Sequence, residues 1–108
     1  MKPRPKPARS GIAEVDALER VFGALAHASR RHILMVLHAR GDRVNAGAIA
    51  RRFSCSWPTT TRHLRVLEEA GLVRVESEGR ERFYRLEIDL LRRVVGGWLA
   101  SFKERASG

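Results

Sequence analysis

The sequence has only one cysteine, Cys55, in 108 residues. A single thiol cannot form an internal disulfide or a multi-thiolate metal site, so both are excluded. Long hydrophobic runs are also missing, since no segment approaches the roughly 18–20 apolar residues that span a bilayer. The basic start of the chain lacks the apolar stretch of a secretory signal. These absences favour a cytoplasmic protein with no membrane partner.

Acidic residues are scarce, because 12 Asp and Glu stand against 21 Lys and Arg and leave a net charge of +9. A small domain this basic most often has a polyanionic partner, usually nucleic acid. Since 18 of the basic residues are arginine, a compositional bias toward arginine is the competing explanation. No nucleophile–base pair and no glycine-rich phosphate loop is suggested, so we expect neither an enzyme nor a bound cofactor.

Proline is concentrated in the first seven residues, together with lysine and arginine. Proline blocks helical hydrogen bonds and like charges repel, so the sequence predicts a disordered basic arm over residues 1–11. This arm could follow phosphates or a minor groove, or it could be a solvated tail. Residues 12–108 are predicted to form one folded domain.

Hydrophobic periodicity predicts helices near residues 13–26, 29–39, 46–53, 57–70 and 88–104. Ser29 and Ser56 are the expected N-caps of the second and fourth helices. Between the fourth and fifth helices the apolar residues alternate on either side of Glu78-Gly79, which indicates a β-hairpin. The short third helix, a tight turn, the longer fourth helix and the hairpin describe a winged helix-turn-helix in the order α-α-α-α-β-β-α. This fold class is mainly α with a small β-hairpin wing.

Two stretches, ALAHASRRHILMVL and IARRFSCSWPTTTRHLRVLEEAGLVRVESEGRERFYRL, resemble the ArsR/SmtB family of bacterial winged-helix repressors. The resemblance covers roughly residues 18–102. Its most specific positions are Ser56, Pro58, Thr61, Arg62, His63, Leu64, Leu67, Ala70, Gly71, Leu72 and Val73. It implies a transcriptional regulator that binds a palindromic operator in double-stranded DNA as a homodimer and usually represses nearby promoters. A winged helix that binds protein or RNA without operator specificity is the alternative.

The fourth helix is the expected recognition helix, which enters the major groove. Its core face is predicted to hold Thr60, Leu64 and Leu67, whereas Arg62 points away and is the best candidate to bind a guanine. His63 has two interpretations, a DNA contact or a half-buried packing residue. The predicted DNA-binding set is Ser56, Trp57, Thr59, Thr61, Arg62, His63 and Arg65 on the helix, with Arg80 and Arg82 on the wing.

Apolar residues recur at spacings of three and four in the first and last helices, as in helices that pair with a partner. These helices are therefore the predicted dimer interface, although they could instead pack on their own protomer. The interface residues are Val15, Leu18, Phe22, Leu91, Val95, Trp98 and Phe102.

The ligands of the family's metal sensors are missing, because the third helix has no cysteine and the last helix has no histidine. We therefore predict no metal site and expect zinc, arsenite and cadmium not to release the protein from DNA. His27, His32 and His38 are expected to be solvated or locally bonded, and Cys55 to be inert. The sequence leaves the inducing ligand unknown.

Overall fold

The structure, a computed structural model, describes residues 5–41, 43–53 and 56–103. Within these residues there are five helices and three strands, which confirms the mainly α winged helix-turn-helix and adds one strand. In chain order they are α1 Pro5–Leu25, α2 Ala28–Arg40, β1 Val44–Asn45, α3 Ala46–Phe53, α4 Trp57–Glu69, β2 Val73–Glu78, β3 Glu81–Leu86 and α5 Ile88–Ala100. Ser54 and Cys55, in the predicted turn before α4, lie outside the described residues.

Helix α1 begins at Pro5, so it is longer than predicted. The sequence assigned residues 5–11 to a disordered arm, and the structure corrects this interpretation. Pro5 and Pro7 stand in the first turn, where backbone N–H groups have no partner within the helix and proline therefore costs little. The rest of the predicted arm, residues 1–4, lies outside the described residues.

Helix α2 is capped by His27 and not by Ser29, which was the predicted N-cap. The Nδ1 atom of His27 accepts a hydrogen bond from the Ser29 N–H at 3.2 Å. The helix ends at Gly41, whose φ of 71° lies in the left-handed region that glycine adopts without strain. An imidazole therefore takes the capping role that usually falls to a shorter polar side chain.

The wing is part of a three-stranded antiparallel sheet with the strand order β1-β3-β2. Strand β1 pairs Val44 with Tyr84, and its two residues are too few for alternation to reveal them in the sequence. Glu78 pairs with Glu81, so the tight turn consists of Gly79 and Arg80, one residue later than predicted. Gly79 has a φ of 59°, as such turns require.

The core lies between the first four helices and the sheet. Its most completely buried side chains are Val21, Ile33, Leu37, Ile49, Leu64, Leu67 and Leu72. Helix α5 closes one side through half-buried residues but has no buried residue of its own. The sequence predicted a helix to residue 104, but α5 ends at Ala100, where Ser101 caps it. Phe102 therefore follows the helix, which corrects its predicted place inside it. Among the described helices, none combines the length and apolarity that crossing a membrane requires.

Candidate nucleic-acid interface

Ser56 fixes the start of helix α4. Its hydroxyl accepts a hydrogen bond from the Thr59 N–H at 3.2 Å and donates one to the Thr59 Oγ1 atom at 2.9 Å. Pro58 stands in the first turn, where its missing N–H is harmless. The predicted N-cap is confirmed, and it fixes the residue at which α4 begins.

The predicted core face of α4 is confirmed, since Thr60, Leu64 and Leu67 are buried. Thr59, Arg62 and Arg65 are exposed, as expected for residues that face a ligand. Val66 is half-buried and packs against the core, so it does not belong to this exposed face.

The exposed end of α4 and the wing enclose an open groove of about 420 Å³. Trp57 and Thr61 line it from α4, and Trp57 is 55% exposed. Three guanidinium groups border the groove against a single carboxylate, so its charge is positive. The residues that line it are Asn45, Ala46, Gly47, Arg51, Trp57, Thr61, Arg80, Glu81, Arg82 and Tyr84.

Asn45 connects helix α3 to the wing, a role that the sequence analysis missed. Its Oδ1 atom accepts from the Ala48 N–H at 2.7 Å, which caps α3, and its Nδ2 group donates to the Glu81 Oε1 atom at 3.3 Å. An asparagine directly before a helical segment is a recognisable N-cap signal. Its bond to Glu81 depends on a strand pairing that no local pattern contains.

The two faces of the wing differ in charge. On one face Arg43 bonds to Glu78 at 2.7 Å and to Glu76 at 3.3 Å, and lies over the Phe83 ring at 4.1 Å. On the other face Arg82 lies 3.7 Å from Glu68 of α4, a distance that makes a weak surface ion pair. The basic side chains beside α4 are therefore less neutralised than those on the far face.

His63 is buried, and the structure agrees with the packing interpretation of this residue. Its ring centroid lies 4.5 Å from that of His27, and its Nδ1 atom lies 3.4 Å from the Arg30 Nη1 atom. Burial first, and then the charges of His27, Arg30 and Arg62, keep the pKa of His63 below its ordinary value of 6.5. A DNA contact by His63 stays a prediction, and its ring is turned toward the α1–α2 junction.

Two of the other histidines have local partners. His32 stacks on Phe53 with 6.1 Å between ring centroids, and His27 caps α2. Within the described ranges, no group of three His, Cys, Asp or Glu residues is placed to hold a metal ion. Cys55 lies outside those ranges.

The predicted dimer residues do not all behave alike. Val15, Trp98 and Phe102 are exposed, and the ring of Trp98 lies edge-on to Phe22 at 5.0 Å and to Phe102 at 4.9 Å. In contrast, Leu91 and Val95 pack against the protomer's own core. Leu99, which the spacing did not select, is 63% exposed.

Comparison with known proteins identifies the family. A family model described as "Helix-turn-helix domain" matches residues 25–76. The transcriptional repressor SdpR of Bacillus subtilis is 31% identical over 85 residues, which cover 79% of this chain and 91% of the relative. An ArsR-like transcriptional regulator from Rhodococcus sp. RHA1 superposes with a TM-score of 0.71 at 29% identity, covering 81% of this chain and 80% of that one. The chain belongs to the ArsR family of winged helix-turn-helix transcriptional regulators.

Two further similar proteins agree with this assignment. The biofilm growth-associated repressor of Agrobacterium fabrum is 30% identical over 107 residues, covering 93% of this chain and 90% of the relative. A homodimeric winged helix-turn-helix DNA-binding domain from Mycobacterium bovis, described as a possible ArsR-family regulator, superposes with a TM-score of 0.69 at 28% identity. That match covers 84% of this chain and 83% of the Mycobacterium bovis domain.

Proposed function

We propose that this DNA-binding regulator of the ArsR family is a repressor that binds a palindromic operator as a homodimer. Two relatives named as repressors, SdpR and the biofilm growth-associated repressor, support the direction of regulation. The Mycobacterium bovis domain, described as homodimeric and DNA-binding, supports the assembly. A regulator of this kind acts on DNA in the cytoplasm, by binding and without a cofactor or a catalytic step.

The observation that carries the proposal is the positive groove between the exposed end of α4 and the wing. Phosphate oxygens are bound by guanidinium groups, and Arg51, Arg80 and Arg82 border the groove. Trp57 at the start of α4 is exposed and offers an apolar surface to a sugar or a thymine methyl group. If α4 enters the major groove of a duplex, the wing arginines would therefore lie along the DNA backbone.

Base reading belongs to the exposed residues of α4. Arg62 presents a planar fork that matches the O6 and N7 atoms of guanine, and Thr59 and Arg65 lie beside it. Ser56 is engaged in capping, so its contribution to binding is to fix the start of the helix. Thr61 borders the groove and can contact a base or a phosphate.

The dimer is proposed to form through α1 and α5. An exposed apolar surface runs along these helices through Val15, Trp98, Leu99 and Phe102, which are 43–65% exposed. Large exposed apolar patches mark interaction surfaces. Gly96 and Gly97 support this interface, because a Cβ atom at either position would meet no atom of the protomer, so another helix can approach there closely.

Selection of bound sequences from a random DNA pool tests the operator. We expect an inverted repeat, with specific binding at nanomolar concentration, roughly a thousandfold or more above scrambled DNA. A structured RNA of equal length is the control for the alternative function and should not compete. Failure to enrich any sequence, or equal binding of RNA, would contradict the proposal.

Repression is tested separately by placing the selected site in a promoter that drives a reporter gene. Expression of the protein should lower the reporter signal, and scrambling one half-site should restore it. Increased reporter expression would show that the protein is an activator.

A further inference from the structure

His63 joins the recognition helix to the junction of α1 and α2. Its side chain projects from the middle of α4, is 6% exposed, and meets His27 and Arg30 at the start of α2. Arg62, the proposed base-reading residue, precedes it directly. The position of this one ring therefore bears on how α4 presents its outer face.

Arg30 cannot move away from His63 without losing other bonds. Its Nε group donates to the Ala24 carbonyl at 2.8 Å and its Nη2 group donates to the Gly23 carbonyl at 3.2 Å. These carbonyls lie in the last turn of α1, where the regular i+4 helical donors are missing and a cation is favourable. The guanidinium is thus fixed on α1 and offers its remaining edge to the recognition helix.

The contact requires a neutral His63. A guanidinium has only donor groups, so the Nδ1 atom of His63 must accept, and the ring proton belongs on Nε2. A second proton would occupy Nδ1, replace the hydrogen bond by two opposed donors, and place a buried positive charge beside Arg30.

We propose that His63 is a positioning residue that holds α4 in its DNA-reading orientation only while its ring is neutral, so that acidification weakens DNA binding. This inference rests on the proposed function, because it concerns the helix that reads the operator. Acidification would then reduce DNA occupancy without any metal or small-molecule ligand.

The charged groups around His63 all favour its neutral form. His27 at the α1–α2 junction and Arg30 on α2 face the ring, and Arg62 acts from α4 itself. Helices α1 and α3 and strand β2 also pack against α4. Within the described part of the chain, no carboxylate from these elements is among the groups that shift the pKa of His63. None of these groups therefore stabilises the positive charge of a protonated His63.

The direction of the pH effect follows from linkage. Because burial and neighbouring cations lower the pKa of His63 in the folded protein, the unfolded chain binds this proton more tightly. The contribution of neutral His63 to the free energy of unfolding is complete above about pH 6.5. It is lost as the pH falls toward the pKa of His63 in the folded protein. Simple attraction to DNA predicts the opposite, since added positive charge strengthens phosphate binding.

Fluorescence anisotropy on the selected operator duplex, at constant ionic strength between about pH 7.5 and about pH 5.5, tests the inference. We expect the wild-type protein to lose about tenfold in affinity over this range. His63→Gln retains a neutral acceptor for Arg30 and cannot be protonated, so its affinity should change little relative to its own value at the higher pH. His38→Gln, which replaces an exposed histidine of α2, should follow the wild type.

An NMR titration of the His63 ring in the unmodified protein removes the dependence on variants. Its midpoint should coincide with the midpoint of the loss of operator affinity. Specific binding at the higher pH with no loss on acidification, or an equal loss in His63→Gln, would overturn the inference and leave the proposed function intact. Absence of any specific site at both pH values would overturn the proposed function and this inference with it.

Discussion

Arg62 is the residue on which base recognition depends in this proposal. It is exposed on α4, and the buried residues Thr60 and Leu64 lie on the opposite side of the helix. Of the two exposed arginines of α4, Arg62 lies nearer the N-terminal end, where recognition helices contact base edges. A change at this position should therefore affect specificity before it affects general affinity for DNA.

Arg62→Ala is expected to cost about 1–3 kcal/mol on the operator and to relax preference at one position in each half-site. Binding isotherms on operator and scrambled duplexes measure both effects. Arg40→Ala removes the same charge from the end of α2 and serves as the matched control. Equal weakening on both duplexes by Arg62→Ala would transfer the base-reading role to Trp57 and the threonines.

Thr60 carries a buried hydroxyl group on the core face of α4. The residue is 2% exposed, and its Oγ1 atom has no hydrogen-bond partner among the described residues. A buried polar group without a partner costs free energy of folding, roughly 1–3 kcal/mol on the scale of protein mutations.

Thr60→Val removes this hydroxyl and keeps the shape of the side chain, so we expect the free energy of unfolding to rise by about 1 kcal/mol. Urea denaturation measures the change. Thr61→Val on the next, half-exposed position should alter stability by less than about 0.5 kcal/mol. A lower stability in Thr60→Val would mean that the hydroxyl has a partner in solution.

Among the elements, helix α4 and the wing have different tasks in the proposed binding mode. Strand β3 carries Arg82 and Tyr84 on the side of α4, while β1 fixes the wing to the start of α3 through Asn45. The wing arginines lie at and beside the turn of Gly79 and Arg80, where they can reach phosphates but not the bases under α4.

Arg80→Ala combined with Arg82→Ala should weaken binding to operator and scrambled DNA alike. The slope of log affinity against log salt should become less steep by about one unit for each lost phosphate contact. Isotherms at several salt concentrations measure this slope, and Arg40→Ala should leave it unchanged. A loss confined to the operator would show that the wing reads sequence.

At the level of the molecule, the proposed homodimer depends on α5. Its thirteen residues include none that is buried in the protomer, although Leu91 and Val95 pack partly against the core. The aromatic series Phe22, Trp98 and Phe102 continues past the end of the helix into solvent. A second copy related by twofold symmetry would cover this surface.

Trp98→Ala combined with Phe102→Ala should yield a folded monomer that no longer binds the operator with high affinity. Each large side chain contributes about 1.5–3 kcal/mol when it is buried at an interface. Sedimentation velocity measures the assembly and circular dichroism checks the fold. Met35→Ala, on an exposed apolar residue of α2, should remain a dimer. A wild-type monomer at micromolar concentration would refute the proposed assembly.

The elements that can be predicted from the sequence are those whose signals are local. The predicted bounds of α3, α4 and the wing strands lie within a few residues of the observed ones. They follow from periodicity, from the cap at Ser56 and from the alternation on either side of Gly79. The Ser56–Val73 motif identifies the ArsR family. These features depend on the residue's own conformational preferences and on neighbours three or four positions away.

Contacts between residues that are distant in sequence could not be predicted and are known only from the folded structure. The Asn45–Glu81 bond requires β1 to pair with β3, and the burial of His63 requires α4 to cross the α1–α2 junction. The same applies to Leu91 and Val95, whose spacing suits a partner helix and whose surroundings are the protomer's own core. A local pattern predicts which side of a helix a side chain faces. Which residues it contacts on that side depends on how the helices pack.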